Sequence, residues 1–474
     1  MKTKVLSFFV VLFGVLGLGY VSLQGTPMGA QVDRFFSFQD PAVRLAVVAC
    51  LLLGLNCGLL GAFMVVRRLA LVGDTLSHCV LPGVILGFLW GMYKNPWTMF
   101  FGAALAGLLG LLCVSWIKRT TTVREDSVLG IILTSFYAVG ICLITMIQRL
   151  NIEGKAGVDK FLFGQASALS EQDVLLLAIV AILAITFVVL FYKELLVSSF
   201  DPDFSRTSGI PVSFLFGALM FLLTFSVVTA LQATGAVLVV AMLITPAAAA
   251  YLLTDRMHHL LIFASGLGML SGLLGAFFSF LGSRLPTGPF MVVGAGAIFL
   301  LAFLFGPQYG VFPRIWRRYR YRSRIQGENT LKAIYRMLED TKFEKRKVAL
   351  EALARFRKQS FAEAVQDVKV LKRKGWAHFE DRSLKVMKLS PEGWHRACQI
   401  TRNHRLWELY LTFEANYAPD HVHDDAERIE HLLGEEIVKQ LEERLNFPNK
   451  DPHGKLIPSA KDIEEGLKIY GDDR

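Results

Sequence analysis

Cysteine is scarce in this chain, and its placement argues against covalent cross-links. Five of the six cysteines lie in apolar stretches and none has CxxC spacing: Cys50, Cys57, Cys79, Cys113, Cys142 and Cys398. A disulfide framework or a thiolate metal site requires paired or closely spaced cysteines. We therefore expect free, mostly buried thiols.

The phosphate loop G-x-x-x-x-G-K-[ST] is also absent from the sequence. In that motif backbone N–H groups hold the nucleotide phosphates and a lysine reaches them. We therefore expect no bound nucleotide and no catalytic residues for ATP hydrolysis in this chain.

Charged residues are few, at 19% of the chain, whereas hydrophobic residues make up 53%. A mean hydropathy of +0.45 is too apolar for an ordinary soluble protein of this length. The sequence therefore predicts a mainly α-helical, polytopic membrane protein of about nine or ten spans, each near the ~20 residues that a bilayer requires. The predicted spans are 5–24, 42–66, 74–92, 97–117, 126–148, 173–192, 213–232, 235–254, 258–282 and 287–306.

The first of these spans has two interpretations. Residues 5–24 are about span length and follow Lys2 and Lys4, which is typical of either a signal peptide or a first transmembrane helix. No clear A-x-A cleavage site follows, so we favour a retained helix. Residues 1–41 are then an N-terminal helix and an exported loop.

Lysine and arginine gather on one side of the predicted spans, and the positive-inside rule assigns that side to the cytoplasm. It holds Arg67, Arg68, Lys118, Arg119, Arg124, Lys193, Arg256 and the cluster at 314–324. Lys94 and three basic residues in the 149–160 loop fall on the other side. The pattern predicts that both chain ends are cytoplasmic.

One predicted span carries an acid and a histidine one helical turn apart. The run RRLALVGDTLSHCVLPG, at 67–83, contains Asp74 and His78, and His78 is the only histidine in the first 257 residues. Ionisable groups inside a membrane mark ion pathways, and i,i+4 side chains share a face, so this pair is a candidate metal site. The alternative is that Asp74 caps a helix beginning after Gly73, with His78 bonded to a neighbouring helix. Cys79 points about 100° away from His78 around the helix axis, so it is not counted as a ligand.

Further motifs follow this run in order: REDSVLGIILTSFYAVG at 124–140, FLFG at 161–164, FDPDFSRTSGIP at 200–211, LQATGAVLVVAMLITPAAAAYLLTDR at 231–256 and LPTGPFMVV at 285–293. Together they resemble the membrane permeases of ABC transporters for zinc, manganese and iron, with the permease domain at 42–306. The resemblance implies that Asp74 and His78 coordinate the transported Mn, Fe or Zn ion. It also implies a bacterial cell (inner) membrane location and three partners: an ABC ATPase subunit, an extracytoplasmic metal-binding protein and a second permease subunit, identical or not.

The segment FDPDFSRTSGIP predicts a short helix across the membrane face. Asp201, Pro202 and Asp203 are typical of a helix start, and Gly209-Ile210-Pro211 of its end. By resemblance this is the coupling helix that docks into the ATPase, and the alternative is a solvated connector. The implied coupling residues are Asp201, Pro202, Asp203, Phe204, Arg206 and Gly209.

Residues 307–327 form a basic, aromatic-rich juxtamembrane linker. Arginines beside Trp316 and several tyrosines are typical of a membrane-surface anchor. Exposed arginine-rich segments are also cleavable, so a proteolytic linker is the alternative.

A soluble region follows and predicts a winged helix-turn-helix at 328–395. Residues 330–340 and KVALEALARF predict helices, and a second helix ending at Gly375 precedes a two-stranded wing that turns at 381–383. Lysine and arginine side chains on the second of these helices suit contacts with DNA phosphates, so operator DNA is a possible partner. The candidate DNA-binding residues by charge are Lys369, Lys372 and Arg373, and the resemblance to metal-dependent repressors described next implies Ser360 and Gln366 as well.

Residues 396–474 resemble the metal-binding and dimerisation domain of iron- and manganese-dependent repressors of the diphtheria toxin repressor type. The resemblance implies a regulatory divalent metal held by His404, Glu408, His423, Glu427, Glu430 and His431. Positions 423, 427, 430 and 431 share one helix face, and imidazoles with carboxylates suit Mn, Fe or Zn. Glu427 replaces the Cys of some iron-type members and favours manganese weakly.

Several positions depart from this repressor pattern. Asn329 and Lys332 stand where the family supplies a ligand and an acid, and Glu363 and Asp367 add negative charge to the recognition helix. A degenerate domain used for sensing or dimerisation is therefore one alternative. We expect a permease with a fused, cytoplasmic regulator-like domain, and the alternative is a membrane-tethered or proteolytically released, metal-dependent repressor.

Overall fold

The computed structural model describes residues 28–91, 95–149, 169–281, 285–380, 384–413 and 435–459. The chain divides into two compact units, the first ending at Arg314 and the second beginning at Ile315. The predicted span 5–24 lies outside the described residues. The predicted exported loop contains a helix, α1 (Met28–Ser37), whose Phe35 is buried against Phe277 and Phe280, with ring centroids 5.2 and 5.6 Å apart.

The first unit is a bundle of long apolar helices. Eight of the described helices are long and apolar enough to cross a membrane. Their bounds are α2 (Pro41–Val66), α3 (Ala70–Gly91), α4 (Pro96–Thr120), α5 (Glu125–Arg149), α6 (Glu171–Leu190), α9 (Val212–Thr234), α11 (Met257–Leu281) and α12 (Thr287–Phe305). A shorter apolar helix, α10 (Ala236–Leu253), falls where another span is predicted. The nine predicted spans between 42 and 306 are each helical, which confirms the polytopic α-helical fold.

Two short helices interrupt this series. They are α7 (Tyr192–Phe200) and α8 (Pro202–Thr207), and α8 lies within the predicted coupling segment. Asp201 caps α8 by accepting a hydrogen bond from the Phe204 N–H at 2.9 Å, and Pro202 occupies its first turn. Gly209 follows with a positive φ of 79°, so the predicted start and stop of this helix are confirmed.

Helix α2 lies at the centre of the bundle and packs on α11, α10, α6 and α9. Its contact with α11 is a backbone contact, because a Cβ atom built on Gly54 would lie 2.2 Å from the Gly268 carbonyl oxygen. Small residues permit this approach, since apolar side chains gain little from each other in lipid and close packing holds the helices together.

The second unit begins in α13 (Val311–Asp340), a helix that also covers most of the predicted linker. Then come β1 (Lys347–Ala349), α14 (Leu350–Phe356), α15 (Phe361–Arg373), β2 (Ala377–Phe379), β3 (Val386–Leu389), α16 (Pro391–Phe413) and α17 (Glu435–Arg444). Its core includes Leu331, Ile334, Leu353, Leu371 and Trp394. The helix-turn-helix with Gly375 after α15 is as predicted.

The wing differs from the prediction in one respect. The strands form a three-stranded antiparallel sheet in the order β1-β3-β2, whereas the sequence predicted a two-stranded wing and a helix from Lys347. Val348 is buried opposite Met387, so pairing with β3 overrides the helical pattern. The predicted turn at 381–383 lies outside the described residues.

Candidate functional site

Asp74 and His78 lie on one face of α3, as their spacing predicts. The distance from His78 Nε2 to Asp74 Oδ1 is 3.6 Å. Two ligands of one tetrahedral ion would be ~3.4 Å apart at ordinary metal–ligand distances. The pair can therefore hold one divalent ion with a small rotation of either side chain.

The surroundings of the pair are asymmetric. The Asp74 side chain is 42% exposed, whereas that of His78 is 17% exposed. The His78 ring meets the Tyr137 ring edge-on, with centroids 4.8 Å apart. Its Nδ1 atom is buried and has no hydrogen-bond partner within the described residues. Asp74 thus offers an accessible carboxylate, and Tyr137 sets the orientation of the imidazole.

The alternative for Asp74, that it caps a helix, is wrong. Helix α3 begins at Ala70, so Asp74 is already inside the helix and its backbone is not at a cap. The neighbouring polar groups are engaged elsewhere: the Ser77 hydroxyl donates to the Gly73 carbonyl at 2.9 Å, and the Cys79 sulfur faces Gly110 of α4. Within the described ranges no group of three His, Cys, Asp or Glu side chains forms a metal cluster.

The coupling segment presents an exposed, charged and apolar surface. Asp203 and Arg206 form an ion pair at 3.1 Å with side chains 90% and 65% exposed, and Phe204 between them is also exposed. Ser205 is buried and bonds back to the Asp201 carbonyl at 2.8 Å. One face of α8 is therefore anchored to the bundle while the other is open for a protein partner.

The candidate DNA-binding residues have two kinds of position on α15: one caps the helix and the others lie on its exposed face. Ser360 caps α15: its hydroxyl accepts from the Glu363 N–H at 3.3 Å, and its own N–H donates to the Glu363 carboxylate at 2.9 Å. Hydrogen bonds from Ser360 lower the pKa of Glu363. The other four candidates, Gln366, Lys369, Lys372 and Arg373, are all exposed on α15, as is Glu363.

Asp367 does not add negative charge to this surface, contrary to the prediction. Its side chain is only 1% exposed and pairs with Arg357, and Gln359 Nε2 donates to it at 3.2 Å. Buried carboxylates require such partners. The exposed face of α15 is therefore more positive than its sequence indicates.

The regulatory metal set is described only in part. His404 and Glu408 are buried on α16, with His404 Nε2 2.8 Å from Glu408 Oε1. His423, Glu427, Glu430 and His431 lie outside the described residues. An imidazole nitrogen and a carboxylate oxygen are donors that suit a divalent transition metal.

A cation competes for the same nitrogen. Nη2 of Arg336, on α13, lies 3.1 Å from His404 Nε2. Lys332 is one turn earlier on that helix and is also buried. The donor chemistry of His404 and Glu408 therefore fits a metal ion, but Arg336 must leave Nε2 before an ion can bind there.

Arg336 belongs to a series of charged contacts between α13 and α16. Arg396 pairs with buried Glu328 at 2.6 Å, and Arg405 pairs with Glu339 at 2.6 Å and with Asp451 at 3.4 Å. The segment after α17 contains Asp451, whose Oδ1 accepts from the His453 and Lys455 N–H groups.

Two functional positions were missed at the sequence level. Tyr137 lies in the quoted motif REDSVLGIILTSFYAVG, but an aromatic residue in a span is usually packing. Arg336 lies four residues after Lys332, one of the positions that depart from the repressor pattern. This spacing puts both cations on one face of α13. This helical spacing was the one signal in the sequence that pointed to Arg336, because His404 is 68 residues away.

Comparison with known families matches both units. The ABC 3 transport family model matches residues 39–306. The model described as iron dependent repressor, metal binding and dimerisation domain, matches residues 390–459.

Individual proteins give similar results. The chain is 33% identical over 86% of its length to the manganese transport system membrane protein MntC of Bacillus subtilis, covering 93% of that protein. It is 38% identical over 60% of its length to the zinc transport system membrane protein TroC of Treponema pallidum, covering 94%. The solved structure of PsaBC from Streptococcus pneumoniae in complex with Fab matches with a TM-score of 0.54 and 32% identity, over 59% of this chain and 97% of that one.

Proposed function

The chain belongs to the ABC 3 transport family, and from this membership we propose that it is the membrane-spanning subunit of an ATP-driven importer of divalent transition-metal ions. It is a multi-pass membrane protein with a fused repressor-type domain and has no catalytic role of its own. Relatives named for manganese and for zinc support these two metals as cargo.

The observation that carries this proposal is the Asp74–His78 pair. A carboxylate and an imidazole 3.6 Å apart on an otherwise apolar helix favour a small divalent cation over an organic substrate. His78 binds such an ion through its neutral ring, so protonation of the ring releases it. The Asp74 carboxylate and the His78 imidazole contact the ion together on its way through the bundle.

The energy for import comes from a separate ATPase subunit that docks on α8. Exposed Phe204, Asp203 and Arg206 supply the docking contacts, and Asp201, Pro202 and Gly209 fix the ends of the helix. The full importer further includes an extracytoplasmic metal-binding protein and a second permease subunit. In this arrangement α8 and the repressor-type domain are cytoplasmic, in line with the distribution of lysine and arginine.

Replacement of the pair by isosteric, weaker ligands tests the cargo site. We expect Asp74→Asn with His78→Gln to lower manganese or zinc uptake by about 100-fold in proteoliposomes that contain the ATPase and the binding protein, since changing even an outer-shell partner of a metal ligand costs about tenfold or more and two direct ligands are changed here. His258→Gln, a histidine at the exposed start of α11, is the matched control and should leave uptake unchanged. Normal uptake by the double variant, with normal insertion, would refute the assignment of the pair.

A second role is favoured by the exposed face of α15. Gln366, Lys369 and Arg373 are spaced to share one side of the helix, and the competing acid Asp367 is buried. Lysine and arginine on one helix face suit DNA phosphates, and glutamine suits an adenine edge. The second unit therefore acts as an operator-binding domain carried by the transporter, with Ser360 and Lys372 at the two ends of the recognition helix.

A further inference from the structure

Arg67 occupies the junction between α2 and the helix that carries the metal pair. Its backbone N–H caps the end of α2 by donating to the Phe63 carbonyl at 3.0 Å. The chain then turns through Arg68, which has a positive φ of 58°, and the Leu69 N–H returns to the Met64 carbonyl at 2.9 Å. Helix α3 starts at the next residue, Ala70, so Arg67 is rigidly joined to the start of α3.

The side chain of Arg67 reaches across to α7. Its Nη2 donates to Ser198 Oγ at 2.9 Å and its Nε to Ser199 Oγ at 3.0 Å. The guanidinium also lies 5.6 Å from the centre of the Phe216 ring. Burial lowers the pKa of Arg67, and no carboxylate pairs with it within the part of the chain that the structure describes.

These contacts flank the coupling helix on both sides. Ser198 and Ser199 are separated from Asp201, the cap of α8, by Phe200 alone. Phe216 is the fifth residue of α9, which follows α8. A displacement of α8 must therefore move at least one of the groups that Arg67 contacts.

We propose that Arg67 is the positioning residue that transmits the movement of α8 to α3, and so links ATPase docking to the Asp74–His78 pair. The inference rests on the importer function proposed above. A planar guanidinium with several fixed donors holds two hydroxyls in one geometry, which a lysine does not. Neutral serine acceptors suit a moving contact, because a buried ion pair is far more costly to break.

The test is the ratio of metal transported to ATP hydrolysed by the complete importer in proteoliposomes. We expect Arg67→Gln to lower manganese uptake per ATP by about tenfold, the equivalent of one lost hydrogen bond to a charged group, with hydrolysis maintained. Manganese binding to the purified chain should not change, because Asp74 and His78 remain in place. Arg68→Asn is the matched control, since it removes the adjacent charge while asparagine tolerates the positive φ and keeps the turn.

Removal of the two serine hydroxyls that accept hydrogen bonds from Arg67 tests the same link between α8 and α3. Ser198→Ala with Ser199→Ala should also lower uptake per ATP, and adding Arg67→Gln should cause little further loss, because the residues act as one unit. This serine variant decides the matter if Arg67→Gln does not fold. Unchanged uptake per ATP in both variants would overturn the inference, as would fully additive losses. If the parent protein transports no metal at all, the importer function fails instead.

Discussion

At the residue scale, one ring nitrogen of His404 lies close to two side chains of opposite charge. Nε2 lies 2.8 Å from Glu408 Oε1 and 3.1 Å from Arg336 Nη2. A metal ion at Nε2 would replace the guanidinium and would be repelled by it nearby. We therefore expect Arg336 to compete with any metal ion that binds at this nitrogen.

Removal of this competitor should strengthen metal binding. We expect Arg336→Ala to lower the Kd for Mn²⁺ by at least about tenfold, because one hydrogen bond to a charged group no longer opposes the ion. Calorimetry on the full chain with Asp74→Asn and His78→Gln keeps the cargo pair out of the measurement. Arg346→Ala, an exposed arginine before β1, provides the same charge change as a control. Equal affinity in the two variants would show that Arg336 does not compete.

The residues that sequence reasoning located best are those whose partners are local. Asp74 and His78, and His404 and Glu408, are one turn apart on single helices, so their spacing alone brings them together. Asp367 and Arg336 depend on distant partners, Arg357 and His404, which no local pattern identifies. The sequence therefore predicted the proximity of these pairs well and the neutralising charges around them poorly.

At the element scale, the contact between α2 and α11 depends on glycine. A Cβ atom on Gly268 would lie 2.1 Å from the Gly54 carbonyl oxygen, whereas one on Gly266, in the same helix, meets nothing within 4 Å. The two positions differ in packing alone, so they form a matched pair.

Adding one methyl group at each glycine should give opposite results. We expect Gly268→Ala to lower the melting temperature of the detergent-solubilised protein by about 2–10 °C, since overpacking costs ~1–3 kcal/mol. Gly266→Ala should leave it unchanged or slightly raised, because alanine favours a helix. A Gly268→Ala protein as stable as the parent would mean that the helices do not approach this closely.

The secondary structure was predicted correctly wherever a long segment was uniformly apolar. The nine apolar runs between 42 and 306 are helices because a bilayer forces backbone groups to bond within the segment. Residues 347–349 became a strand because β3 pairs with them, an interaction across about 40 residues that the helical pattern of KVALEALARF conceals.

At the scale of the whole molecule, one chain combines a membrane bundle with a domain suited to DNA. The positive face of α15 predicts that the complete protein binds duplex DNA in a salt-dependent manner. We expect Lys369→Glu with Arg373→Glu to weaken binding of its own promoter DNA and to reduce the slope of log K against log salt by about two. Gel retardation with the detergent-solubilised full chain, with and without Mn²⁺, measures both effects.

Lys439→Glu, an exposed charge reversal on α17, is the control for this experiment. It should retain the affinity and salt slope of the parent. If the two α15 substitutions have no more effect than Lys439→Glu, then α15 is not the DNA-reading helix, and the second unit serves the transporter without operator contacts.

The glycine contact between α2 and α11 also has a consequence for biosynthesis. Gly268 is made roughly 200 residues after Gly54, which at ~5–20 residues per second leaves α2 in the membrane for tens of seconds before its partner arrives. During that interval the glycine-containing surface of α2 is accessible to any other helix that can approach closely. Since α2 packs on four other helices of the bundle, a nascent chain interrupted before α11 lacks the close backbone contact that completes the packing of α2.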